Sequence, residues 1–99
     1  MKYVVTWQAR ASVTEEAAAR SLQVFSKWVP SEGVTYREFL GNVDGLGGLA
    51  VVETDDPALV AKDVAPFGAW FDIKVTPVLE IADQAAIGGE AVAFLASVS

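Results

Sequence analysis

The sequence predicts a small α+β domain in which two helices cover one face of an antiparallel sheet. Hydropathy and turn residues divide the chain into strand, helix, strand, strand, helix, strand and a short C-terminal helix. A long apolar segment, residues 71–81, supplies the last strand. The central strands are apolar on both faces, so the sheet needs cover on both sides. A chain of 99 residues fits one domain, expected to span residues 1–99.

The first half of the chain predicts a strand and an amphipathic helix. Residues 2–8 are rich in β-branched and aromatic side chains, which favour strands. Ser12 and Glu15 have the spacing of a capping box, which predicts the start of the first helix. One stripe of that helix is apolar and should be its buried side. The stripe consists of Ala18, Leu22 and Phe25, with Val24 and Trp28 beside it.

The middle of the chain predicts two strands and a second helix. Residues 34–40 and 47–54 are the strands, joined by a loop of turn-forming residues. Asp56 followed by Pro57 is a favourable helix start, because the carboxylate caps and proline suits the first helical position.

The last third predicts an edge strand and a bent helix. The fourth strand should run from about residue 70 to 81. Pro77 cannot donate a ladder hydrogen bond, so this strand belongs at a sheet edge. Residues 82–99 are rich in alanine and should be helical, with a bend or break at Gly88 and Gly89, each costing about 1 kcal/mol relative to alanine.

Two right-handed β-α-β units place the strands in the order 4-1-3-2, with both helices on one face. In the third strand, Leu49 and Val51 point to one face while Ala50 and Val52 point to the other. The helix-free face should therefore be covered. A second copy of the chain is the expected cover, giving a two-fold dimer with a shared barrel-like core. The alternative is a monomer over which the C-terminal helix folds back.

Composition excludes several functional classes. The formal charge is −6 and the seven basic residues are scattered, which argues against nucleic acid and anionic membranes as partners. There is no cysteine or histidine, so disulfides, Cys/His zinc sites and Ser-His-Asp relays are absent. No leader-like or membrane-spanning apolar run is visible, so we expect a cytoplasmic protein without metal or tightly held cofactor.

Three stretches, residues 1–7, 47–57 and 71–80, resemble a family of short bacterial domains of unknown function. That family is placed in the dimeric α/β-barrel superfamily, whose members share the ferredoxin-like fold. The resemblance implies a homodimer but transfers no catalytic residue. The superfamily includes cofactor-independent monooxygenases, muconolactone-type isomerases, haem-degrading enzymes and binding proteins. Histidine-dependent members are poor guides to a chain without histidine.

The candidate site residues are aromatic and polar side chains of the strands and their ends. Rings lining a pocket would suit a flat organic molecule, although such rings often only fill a core. A strand arginine could bind a carboxylate or phenolate, although pairing with Glu53 is the common alternative. The candidate ligand-binding residues are Trp7, Tyr36, Arg37, Asn42 and Trp70.

Three functions remain open from the sequence. The leading hypothesis is a homodimeric domain that binds a small apolar or aromatic molecule. The second is a cofactor-independent oxygenase or isomerase acting on an aromatic substrate, which Trp7, Tyr36, Arg37 and Asn42 would orient. The third is a purely structural assembly domain with a filled interior. A cavity of a few hundred Å³ would favour the first two over the third.

Overall fold

The structure, a computed structural model, describes residues 1–98, and its elements occur in the predicted order. The strands are β1 (Lys2–Ala9), β2 (Thr35–Gly41), β3 (Gly47–Glu53) and β4 (Phe71–Val78). The helices are α1 (Glu15–Lys27), α2 (Pro57–Val64) and α3 (Ile81–Ser97), and a 3-10 turn (Ala65–Phe67) follows α2.

The four strands form one antiparallel sheet in the order β2-β3-β1-β4, which confirms the predicted order and the ferredoxin-like α+β fold. Pro77 lies on the edge strand β4, as expected for a residue without an amide hydrogen. The predicted extension of this strand to residue 81 is wrong. Val78 already pairs with Lys2, the first residue of β1, so no neighbouring strand remains to extend the ladder.

The start of α1 differs from the predicted capping box. Thr14, not Ser12, is the N-cap, and its side-chain oxygen accepts a hydrogen bond from the amide of Ala17 at 3.1 Å. The predicted buried stripe is also displaced. Ser21 is buried, whereas Leu22 and Phe25 are 69% and 48% exposed, because they border a cavity rather than a packed core.

The start of α2 confirms the prediction made from Asp56 and Pro57. Asp56 is the N-cap, and its carboxylate accepts a hydrogen bond from the amide of Ala58 at 3.0 Å. The helix ends at Val64, before Pro66, whose ring cannot be accommodated in a continuing helix. This end directs the following 3-10 turn towards the cavity described below.

The buried core lies between the sheet and α2. Its members come from β1, β3 and α2: Tyr3, Val5, Ala50, Val52 and Val60. The opposite, helix-free face has Val4 and Val51 at its centre, paired across β1 and β3. Leu40 and Leu49 remain exposed on this face. The centre of the helix-free face is therefore apolar, as the sequence predicts.

A β-bulge in β2 sets the direction of the aromatic residues of that strand. Tyr36 pairs with Val52, but Glu38 pairs with Val51, so Arg37 is an extra residue in the ladder. Phe39, opposite Ala50, consequently lies on the same face as Tyr36. Regular alternation would have placed residues 36 and 39 on opposite faces.

Helix α3 extends away from the body of the domain, and all of its residues are exposed. The bend expected at Gly88 and Gly89 is absent, because the alanine-rich flanks continue the helix through both glycines. The helix does not fold back over its own sheet. The radius of gyration is 17.8 Å, against about 13 Å for a compact domain of this length.

Candidate functional site: an aromatic cavity beneath helix α1

A cavity of about 410 Å³ lies between α1, the helix-bearing face of the sheet and the 3-10 turn. Its size falls within the range of small-molecule sites. Its walls are mostly apolar. The lining residues are Val5, Trp7, Ser21, Leu22, Phe25, Trp28, Tyr36, Phe39, Leu40, Gly41, Gly45, Gly47, Ala50, Asp63, Val64, Phe67, Phe71 and Ile73.

Six of the lining side chains form a continuous aromatic cluster, in which each ring contacts at least one other. The cluster consists of Trp7, Phe25, Trp28, Tyr36, Phe39 and Phe67. Phe39 is central, with its ring centroid 5.4 Å from that of Tyr36 and 5.6 Å from that of Trp7. Phe25 and Phe39 remain 48% and 45% exposed. Large apolar rings are therefore open to solvent beside an unfilled space.

Gly48 makes room for one of these rings. It pairs with Trp7 across β1 and β3, and a Cβ atom added at Gly48 would meet the Trp7 indole and the Leu40 carbonyl oxygen. Such contacts require something to shift. The glycine thus allows the indole to lie close against β3 at the cavity wall.

A buried carboxylate anchors one side of the cavity. Asp63 is 3% exposed and accepts hydrogen bonds from the amide and hydroxyl of Ser31, at 2.9 and 2.6 Å. The Tyr36 hydroxyl donates to its other oxygen at 3.0 Å. The indole N–H of Trp28 donates to the Asp63 main-chain oxygen at 3.0 Å. We call these four residues the Asp63 network, which ties α1, the following loop, β2 and α2 together.

Burial of its ring, and secondarily its hydrogen bond to Asp63, raises the pKa of Tyr36 above the usual range. The hydroxyl is therefore protonated at neutral pH and acts as a donor to Asp63. Tyr36 and Asp63 are the ionisable side chains among the lining residues, and no lysine or arginine is among the residues described there. The electrostatic environment of the cavity is neutral to negative.

The structure brings together two of the five residues predicted to bind ligand. Trp7 and Tyr36 both line the cavity, joined through the ring of Phe39. Asn42 lies in the β2–β3 turn, where its main-chain N–H donates to the main-chain oxygen of Gly47. Trp70 lies just before β4. Neither of these two is among the lining residues.

Arg37 is exposed and lies outside the cavity lining. Its guanidinium lies 3.2 Å from a Glu53 carboxylate oxygen, so the alternative recognised in the sequence, an ion pair with Glu53, is formed. Hydrogen bonding from Arg37 lowers the pKa of Glu53 below its usual range. Glu53 also lies 3.7 Å from Lys2, which places this charge cluster at the edge of the helix-free face.

Sequence reasoning missed Asp63, Ser31, Phe25 and Phe67 as parts of the site. One signal was available for Asp63. It follows the buried Val60 by three residues and therefore lies on the inward side of α2, where a carboxylate needs hydrogen-bond partners. Phe67 had no comparable signal, because its direction depends on the turn after α2.

Within residues 1–98 there is no group of three or more acidic, cysteine or histidine side chains placed to hold a metal ion. In the same residues, no helix has the length and apolarity needed to cross a membrane. The described residues do contain the aromatic cavity and exposed apolar surfaces.

Comparison with known proteins identifies a family and no activity. No curated protein and no solved structure matches the chain. A family model described as "Domain of unknown function (DUF3303)" matches residues 1–92, which include every strand, the whole cavity and much of α3. The chain belongs to this family of domains of unknown function.

Proposed function

We propose that the aromatic cavity binds a small, uncharged apolar or aromatic molecule. The observation that supports this most directly is the combination of a 410 Å³ space with partly exposed rings at its border. A purely structural domain would gain stability by filling that space, because empty volume forfeits packing contacts. An apolar ligand would supply those contacts and remove the rings of Phe25 and Phe39 from water.

The polar groups define the ligand further. The Tyr36 hydroxyl gives its hydrogen to Asp63, so its oxygen is left as an acceptor beside the cavity. A ligand with one N–H or O–H group satisfies that acceptor. An anionic ligand would meet Asp63 without a compensating cation among the described lining residues, which disfavours carboxylates and phosphates.

These contacts support binding more than proton transfer. Both carboxylate oxygens of Asp63 already accept hydrogen bonds, and Tyr36 holds its proton at neutral pH. A general base needs an oxygen or nitrogen within reach of the substrate proton. The oxygenase or isomerase alternative would require this network to rearrange when substrate enters.

The experiment is a fluorescence titration with N-phenyl-1-naphthylamine, a neutral aromatic amine with one N–H donor. We expect the probe to bind the wild-type protein with enhanced emission. Phe39→Ala should weaken binding by about fivefold or more, because it removes the central ring of the cluster, and the loss of a well-packed aromatic ring at the centre of a contact costs about 1 kcal/mol or more.

Phe94→Ala is the matched control, because it removes the same ring from α3, outside the cavity. It should leave probe affinity unchanged. A naphthalene carboxylate of similar size should bind less well than the neutral probe. Equal affinity of wild type and Phe39→Ala for the probe would refute the proposed site.

We also propose that two copies pair through their helix-free faces. Val4 and Val51 at the centre of this face, with Leu40 and Leu49 exposed beside them, give it an apolar strip. Covering this strip removes it from water, and a second sheet has a matching shape. The substitution Val51→Lys, which places a charge in the strip, enters the dimerisation experiment below.

A further inference from the structure

Helix α3 has a row of apolar residues that its own chain does not cover. The row recurs at alternating spacings of four and three, which is the spacing of residues that face a partner helix. On the opposite side, Asp83, Glu90 and Ser97 recur every seven residues. We call the apolar row the α3 seam; it consists of Ile81, Ala85, Gly88, Val92 and Leu95.

Helix α3 leaves much apolar surface in contact with water. Ile81 is 82% exposed, and Val92 and Leu95 are 68% and 67% exposed. A lone helix of 17 residues is marginally stable without packing. A helix that is apolar around most of its circumference is normally covered. Contact with a surface outside this chain would remove these side chains from water.

The charge of α3 argues against a lipid surface as that partner. Helices that lie on membranes present lysine or arginine beside their apolar face. Between Ile81 and Ser97 there is no basic residue, while Asp83 and Glu90 are acidic. An anionic lipid surface would repel this helix.

The arrangement of side chains along the seam fits a second copy of the same helix. Gly88 is the middle position, with the larger Ile81 and Leu95 at the two ends. A Cβ atom added at Gly88 or at Gly89 would meet nothing within 4 Å, so no packing inside the chain accounts for either glycine, and Gly88 is the one that lies in the seam. In an antiparallel pair, glycine permits close approach at the crossing point, and Ile81 of each helix lies near Leu95 of the other.

The seam supplies about a third of the area of a standard dimer interface. A helix of this length is about 25 Å long and 10 Å wide, so contact along one side of both helices covers about 500 Å² in total. A standard interface buries about 1,600 Å². Ile87 and Val98, on a second apolar side of α3, add contact area against the body of the second copy.

We propose that α3 is a dimerisation element, which packs antiparallel against α3 of a second copy through the seam centred on Gly88. This interaction goes beyond ligand binding in the cavity and does not depend on it. Like the proposed pairing of helix-free faces, it is an interaction with a second copy of the chain. The experiment tells which of the two surfaces holds the copies together.

The main experiment measures the dimer dissociation constant by analytical ultracentrifugation. Val92→Asp places a charge in the seam and should raise the constant by about tenfold or more, because a charge would be desolvated there. Ser97→Asp is the matched control, since it adds the same charge to the polar side of the same helix. Its constant should stay within about threefold of wild type.

A second measurement uses the absence of cysteine in the sequence. Gly88→Cys places a thiol at the crossing point, where mild oxidation should give a disulfide-linked dimer. Glu90→Cys places it on the polar side and should remain unlinked, because a disulfide needs Cβ atoms about 4 Å apart.

Several results would overturn the proposal. One is a wild-type protein that stays monomeric at about 100 μM. A monomer that binds neutral phosphatidylcholine vesicles would overturn the proposal in the same way. Another is equal dissociation constants for Val92→Asp and Ser97→Asp. A dimer that Val51→Lys dissociates and Val92→Asp leaves intact would assign pairing to the sheet face alone.

Discussion

Asp63 shows how one residue can hold a site together without any sequence motif. Its side chain and main chain accept four hydrogen bonds from three residues that lie far from it in sequence: Trp28, Ser31 and Tyr36. Trp7 and Tyr36 were predictable as candidates because aromatic strand residues recur in small-molecule pockets. The partners of Asp63 were not predictable, because the loop after α1 brings Ser31 to it only in the folded chain.

The Asp63 network leads to a prediction about stability. Asp63→Asn keeps the size of the side chain but replaces one accepting oxygen with an N–H₂ group, which then faces the Ser31 or Tyr36 donors. A buried donor without an acceptor costs about 1–3 kcal/mol, so the free energy of unfolding should fall by that amount. Urea denaturation followed by tryptophan fluorescence would measure it.

Asp72→Asn is the control for this substitution. The Asp72 side chain is 74% exposed and lies 3.4 Å from Arg10, and exposed pairs contribute at most about 1 kcal/mol. If Asp63→Asn and Asp72→Asn lower the free energy of unfolding equally, the buried network contributes no more to stability than an exposed ion pair does.

At the scale of elements, local patterns predicted the start of α2 better than the start of α1. Asp56 and Pro57 are adjacent, and together they indicate a single position for the start of the helix. Before α1, the spacing of Ser12 and Glu15 indicated the wrong cap, and the folded chain shows that Thr14 accepts the hydrogen bond. The buried side of α1 was misassigned for a related reason, since the apolar Leu22 borders a cavity that periodicity cannot reveal.

The cap of α2 gives a second stability prediction. Asp56→Ala removes the acceptor for the Ala58 amide and should lower the free energy of unfolding by about 1 kcal/mol. Asp55→Ala removes the neighbouring carboxylate, which is exposed and is not the N-cap, and should have less effect. Paired thermal melts of the two variants test this; a larger loss for Asp55→Ala would contradict the assigned cap.

At the scale of the whole molecule, topology was predictable and shape was not. Strand order follows from crossover handedness and from the edge position of Pro77, both visible in the sequence. The apolar residues on both faces of the central strands correctly indicated uncovered surface. The direction of α3 depends on where β4 stops pairing with β1, so the sequence alone could not show that the helix leaves the domain.

The overall charge makes association depend on salt. Each copy has a formal charge of −6, so two copies repel each other as they approach. Raising sodium chloride from about 20 mM to about 200 mM should tighten the proposed dimer several-fold, because the screening length falls to below about 10 Å. Sedimentation equilibrium at the two concentrations measures this.

A double substitution, Asp83→Asn with Glu90→Gln, is the control for charge. It removes two negative charges from each copy while leaving the α3 seam intact. Its dimer should be tighter at low salt and respond less to added salt. A dimer that weakens as salt is added would mean that attraction between opposite charges dominates the interface.

The bulge in β2 also defines where this strand tolerates a change in length. Removing Arg37 would convert the ladder to regular pairing while keeping Tyr36 opposite Val52 and Phe39 opposite Ala50. Deleting Leu40 would instead disturb the regular part of the pairing, where Leu40 lies opposite Leu49. A chain shortened by one residue at position 37 should therefore keep both rings on the same face of the sheet.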